Sequence, residues 1–108
     1  VPSNPVITIV DDNGVGVYGS ALAVVPIGAG TTVISARKGR LVRVVATAAA
    51  AGGSVTFYDN ASTGTGTVLV VIPGTAVIGA AFDVQMPALN GITAVAAASG
   101  AALTVAYS

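Results

Sequence analysis

The chain predicts an all-β fold: an antiparallel β-sandwich of eight or nine short strands, Greek-key or jelly-roll-like in its connections. Three observations carry that expectation. Short runs rich in Val, Ile, Thr and Tyr recur at roughly the 8–12-residue spacing of small sandwiches. Between them fall the 14 Gly and 5 Pro, joined by Asn and Asp, residues that punctuate strands rather than continue helices. The two Ala runs with helical propensity, 48–51 and 96–98, are cut within about two turns by Gly52-Gly53 and Gly100, so wide turns are expected there.

Residues 1–5 (VPSNP) hold two prolines and no apolar period, and read as an extended arm ahead of a single domain over 6–108. VITIV at 6–10 is strand-like and ends in the turn sequence Asp11-Asp12-Asn13-Gly14. Strands at 22–27 and 32–35 flank Gly28-Ala29-Gly30, and Pro26, lacking an N–H, limits the first to a sheet edge or a strand end. LVRVVAT at 41–47 is the strongest candidate for a central strand. It turns through 48–53 into SVTFYD at 54–59, where Val55 and Phe57 share a face. A polar loop, NASTGTG at 60–66, leads into TVLVVI at 67–72, which Pro73-Gly74 ends. At 80–86, alternation places Phe82, Val84 and Met86 inward and Asp83 and Gln85 outward. Strands at 91–97 and 102–107 close the chain. Stretches 45–58 and 95–107 echo each other as strand, Ala/Gly turn and strand ending in Tyr, which suggests two similarly built hairpins.

Composition narrows the function. The chain has no His, Cys, Trp or Glu, and its ionic side chains are four Asp, three Arg and one Lys. Acid–base catalysis, nucleophilic catalysis and metal binding draw mainly on the missing types, so an enzyme, a cofactor site and a metal site are not expected. At this length burial and chain entropy nearly cancel, and neither a disulfide nor a metal is on offer to staple the fold. Charged residues are 7% of the chain at net zero charge, against about 25% in an ordinary soluble domain. A surface so poor in charge associates, and a homo-oligomer is expected. Net neutrality also argues against nucleic acid, which demands a basic stripe. The apolar stretches are Ala, Gly, Thr and Ser broken by Pro87, Asn90, Gly91 and Gly100, unlike a membrane-spanning helix. Val1 opens no basic-then-apolar leader, and the chain reads as soluble.

Several motifs tempt and fall short. Gly14, Gly16 and Gly19 spell G-x-G-x-x-G, but no helix can follow past Pro26 and the next acid is Asp59. Asp11-Asp12-Asn13-Gly14 lacks the calcium-loop spacing and its bidentate Glu. Asp59 and Asp83 would make a carboxylate pair with no other polar group to tune it. Asn60-Ala61-Ser62 matches a glycosylation sequon, a common triplet. Tyr18, Tyr58 and Tyr107 are too scattered to form a stacking platform. The one basic cluster is Arg37, Lys38, Arg40 and Arg43. It reads as a solvated turn entering a strand, as a contact to an acidic protein partner, or as a phosphate-binding site, and strand alternation sends Arg40 and Arg43 to opposite faces.

From residue 39 onward the chain resembles a recurrent kind of bacteriophage virion protein. The matching pieces are Gly39-Arg40-Leu41, Thr56-Phe57-Tyr58-Asp59-Asn60-Ala61, Gly66-Thr67-Val68-Leu69 and Val105-Ala106-Tyr107-Ser108. The likeness covers about two-thirds of the chain and contains no reactive residue. It implies a structural β-sandwich of the virion: a capsid decoration (cement) protein, or a fibre or tail module.

The leading expectation is therefore a head decoration protein, an oligomer with a trimer favoured, made in the host bacterial cytoplasm and bound outside the major capsid protein lattice. The arm Val1, Pro2, Ser3, Asn4 and Pro5 could lie across a neighbouring subunit and add strand-edge hydrogen bonds. Arg37, Lys38, Arg40 and Arg43 would supply polar contacts to the lattice. A receptor-binding fibre module and a self-assembling tail-tube subunit are the alternatives.

Overall fold

The computed structural model describes residues 21–108, which are all-β. The arm at 1–5, the strand expected at 6–10, the turn at 11–14 and the Gly14–Gly16–Gly19 motif lie outside the described residues. Eight strands follow in order: β1 (Ala21–Val25), β2 (Gly30–Ser35), β3 (Gly39–Ala48), β4 (Val55–Tyr58), β5 (Val68–Ile72), β6 (Ala81–Ala88), β7 (Ile92–Ala96) and β8 (Ala102–Tyr107). Each coincides with a run expected from the sequence. β1 stops at Val25, the residue before Pro26, and among the described residues it lies at the edge of its sheet.

The strands form two antiparallel sheets of four, ordered β1-β8-β3-β6 and β2-β7-β4-β5. The pairing has a simple logic. The chain doubles back on itself between β4 and β5, so that β4 pairs with β5, β3 with β6, β2 with β7 and β1 with β8. Rolling this long double ribbon adds the β3–β8 and β4–β7 ladders and splits it into two layers. That is the double Greek key of an eight-stranded jelly roll.

Inward residues of both layers meet in one core. Leu41, Val44, Leu103 and Val105 from the first sheet face Val55, Phe57, Ile72 and Ile92 from the second, all with no exposed surface. Phe57 is the largest of them. Small residues fill the remainder, with Ala46, Ala76, Ala88, Ala94, Ala96 and Ala101 buried. The Ala-rich composition thus feeds a close-packed interior, in addition to the surface.

Two expectations are corrected by register. The echoing stretches are not hairpins. β3 and β4 lie in different sheets, as do β7 and β8, so each Ala/Gly turn is an arch crossing from one layer to the other. The arches dock on each other: Ala51 and Gly53 donate backbone N–H to the Ser99 carbonyl (2.8 and 3.1 Å), and Ala97 donates to Ser54 (3.0 Å). A Cβ on Gly53 would come within 2.7 Å of the Ser99 backbone, so the contact needs glycine. The second correction concerns Met86. It pairs with buried Leu41 but sits on β6, beyond which no further strand lies among the described residues, and is 38% exposed.

Truncating the central aromatic should be severe. Phe57→Ala is expected to cost about 3–5 kcal/mol, enough to lose most of the fold of a small domain, whereas Val77→Ala at an exposed position should change stability by less than about 0.5 kcal/mol. Urea denaturation followed by circular dichroism measures both.

Candidate interaction surface

The basic cluster is assembled by the β2–β3 turn and the first half of β3. Arg37 and Lys38 are exposed in the turn at 36–38. Ser35 organises that turn, donating its hydroxyl to the Arg37 carbonyl (3.1 Å). Together with Ala21, Ile34, Ala36, Tyr107 and Ser108 they line an open groove of about 520 Å³ where the two sheets end.

Arg40 and Arg43 share one face, contrary to the alternation expected. The ladder slips between Leu41 and Arg43 against both neighbours: against β8, Leu41 pairs with Tyr107 but Arg43 pairs with Ala106. Val42 is the extra residue of a β-bulge against β8, whereas against β6 the extra residue lies on β6. The inward positions therefore run Leu41, Val44, Ala46, and the residues preceding the first two, Arg40 and Arg43, both face outward. The neighbouring strand accommodates the slip by placing Gln85 at φ 53°, in the left-handed region that a non-glycine residue seldom enters. Arg40 secures this distortion, its Nη1 donating to the Gln85 carbonyl at 2.7 Å. Gln85 in turn donates from Nε2 to Asp83 Oδ1 (3.1 Å), and Asp83 is the register partner of Arg43. The cluster is thus a basic face with one carboxylate set into it. Alternation at 81–86 already placed Asp83 and Gln85 outward; what the sequence did not reveal is that they lie beside the arginines.

The carboxylate pair does not form. Asp83 faces outward from the first sheet, whereas Asp59 follows β4 in the second and is occupied by backbone. Its Oδ1 accepts the Asn90 N–H at 2.7 Å. That bond, opposed by partial burial and helped by the N–H groups of Leu89 and Gly91, holds the carboxyl below its ordinary value. The neighbouring Asn60 is also committed. Its Oδ1 accepts from Ser62 and Thr63 N–H (both 2.9 Å), and its Nδ2 donates to the Thr65 carbonyl and hydroxyl (both 3.2 Å). The sequon asparagine is therefore the organiser of its own loop, an Asx turn. The loop folds over the outer face of the second sheet. Its Asn60 carbonyl accepts the hydroxyl of Thr93 (2.8 Å), a fully buried threonine, and a Cβ on Gly64 would meet the Val95 side chain at 2.4 Å.

Among the described residues no group of three or more Asp, Glu, His or Cys could hold a metal ion, and no helix is long and apolar enough to cross a membrane. Val1, Pro2, Ser3, Asn4 and Pro5 lie outside the described residues. No family model, curated protein or solved structure matches this chain.

The Asp59 contacts carry a pH signature. The ionised carboxylate is favoured in the folded state, so its contribution is complete above the unfolded value of about 4. It is lost as pH falls through the lower folded value. Asp59→Asn should flatten the drop in the urea midpoint between pH 5 and about pH 2; a drop as steep as that of the parent chain would show that the carboxylate contributes nothing.

Proposed function

We propose that this protein is a non-enzymatic virion component, a capsid decoration (cement) protein that binds the outside of a head shell as a homo-oligomer. The observation that carries the reading is an eight-stranded jelly roll, an architecture used by viral capsid domains, on a chain with only 7% charged residues. Architecture alone assigns no function; the composition adds the physical motive. A domain with so little charge to hold it apart from its neighbours is suited to being packed among them. A shell presents many equivalent sites, so weak individual contacts multiply into durable coverage.

The polar side of attachment falls to the basic face. Arg37 and Lys38 are free-standing in position on an exposed turn, and the Val42 bulge turns Arg43 to the same outer face as Arg40. Four cations with a single interleaved carboxylate suit an acidic lattice surface, with the contact weakened by salt.

Imaging of whole virions tests the reading through copy number: occupancy at or near all equivalent lattice positions is expected, and a handful of copies per particle would overturn it in favour of a fibre or tail module. Binding of the purified protein to undecorated shells tests the basic face. Replacing Arg37, Lys38 and Arg43 by Ala should weaken attachment about 10-fold or more at low salt and remove most of its salt dependence. Attachment that ignores both salt and substitution would show that these side chains take no part.

A further inference from the structure

The charges of the described residues are segregated. At the end of the sandwich opposite the basic turn lie four loops, 26–29, 49–54, 73–80 and 97–101, in a row that follows the strand order, with 26–29 and 73–80 at opposite edges. Not one carries a charged residue, and not one carries an aromatic. All six charged side chains of the described region, Arg37, Lys38, Arg40, Arg43, Asp59 and Asp83, lie elsewhere. Ile27, Val77 and Ile78 stand out from this end with 61, 63 and 70% of their surface exposed.

These aliphatic side chains are held out by a built loop. Ala76 is buried and donates to the Pro73 carbonyl (3.1 Å), Ala80 donates to Val77 (3.0 Å), and Gly79 donates across to Ala46 of β3 (2.8 Å). Ala50 and Gly52 donate to Ala76 and Gly74 (2.9 and 3.0 Å), stitching this loop to the neighbouring arch. Gly74 sits so close to Gly52 that a Cβ would come within 2.4 Å of its carbonyl oxygen. A rigid presentation lowers the ordering cost of any contact made through Val77 and Ile78.

We propose that the charge-free ends of identical copies meet at the symmetry axis of a closed homo-oligomer, with Ile27, Val77 and Ile78 at the contact and the basic faces directed away from the axis. The chemistry of the surface chooses this occupant. A lipid surface is met by basic and aromatic side chains, and this end has neither. A distinct protein partner is usually gripped through Trp, Tyr or Arg anchors, also missing here. Head-to-tail stacking would press the apolar end against the basic turn and desolvate the charges of Arg37 and Lys38. Another copy of the same end brings no charge to repel or to strand, and Ala and Gly let the loops approach closely. The loops hold roughly the two dozen residues that one side of a standard interface contributes, with about half exposed, so the contact is small and should loosen on dilution. The inference rests on the oligomeric part of the proposed function, not on its virion part.

Sedimentation of the full chain across a concentration series provides the test. The parent protein should form an oligomer that dissociates on dilution. Ile78→Asp and Val77→Asp should each weaken self-association on the order of 100-fold, because every contact in a closed ring carries the substitution, with circular dichroism unchanged. Val68→Asp, on a valine 46% exposed at the opposite end of β5, should leave association intact. If either aspartate variant unfolds, the milder Ile78→Ser decides. A parent chain monomeric at every concentration would overturn the inference, as would an oligomer indifferent to Val77 and Ile78. Binding to shells is scored separately: an oligomer that depends on Ile78 yet ignores shells sinks the virion reading alone, and monomers that coat shells sink the inference and the oligomeric part of the proposed function while the virion part stands.

Discussion

The architecture depends on the last two strands being inserted into the middle of both sheets. β8 lies between β1 and β3, and β7 between β2 and β4. Without them β1 and β2 have no strand partner among the described residues, and only the β3–β6 and β4–β5 ladders survive. Neither surviving pair could bury its apolar face, since isolated hairpins are marginal in water. The core follows the same rule: Ile92, Ala94, Leu103 and Val105 on the inserted strands close over Leu41, Val44, Val55 and Phe57 on the earlier ones. Stability is therefore carried by contacts between residues far apart in sequence, the kind that forms slowly and cooperatively.

Closure of the two arches is where the insertion is locked. The turns 49–54 and 97–101 would be unremarkable glycine-rich connections taken singly. Together they share the Ser99 carbonyl as an acceptor and fit only because Gly53 lacks a side chain. The opposite end is held by polar chemistry instead. Asp59 gathers the N–H groups of 89–91, Asn60 winds its own loop, and Thr93 joins that loop to the sheet. A chain with few polar side chains spends a large share of them on orphan backbone groups, which leaves little for chemistry.

The result is a molecule with two unlike ends, and this unites the functional readings. The basic face suits a polar, salt-sensitive contact to a charged lattice, and the uncharged end suits contact between copies. On the proposed function the two contacts use different surfaces, so oligomerisation and attachment do not compete. Avidity then does for the assembly what a large interface would do for a single pair.

The strands were legible in the residues because their signals are local: alternation, β-branched runs, and Gly, Pro or Asn at the breaks, with all eight described strands falling where those signals lay. The basic cluster was legible too, as four cations within seven positions. Which sheet each strand joins was not, because an arch and a hairpin have the same Ala/Gly composition and differ only in the partner each strand finds. The facing of Arg40 and Arg43 was lost for a related reason: one extra residue, Val42, inverts the positions that follow it, and only the register against β8 exposes it. The charge-free end was invisible because its four loops are separated by whole strands. Local stereochemistry thus chose the elements, while long-range pairing chose the surfaces, since a surface is defined by neighbours that the chain brings together only by folding.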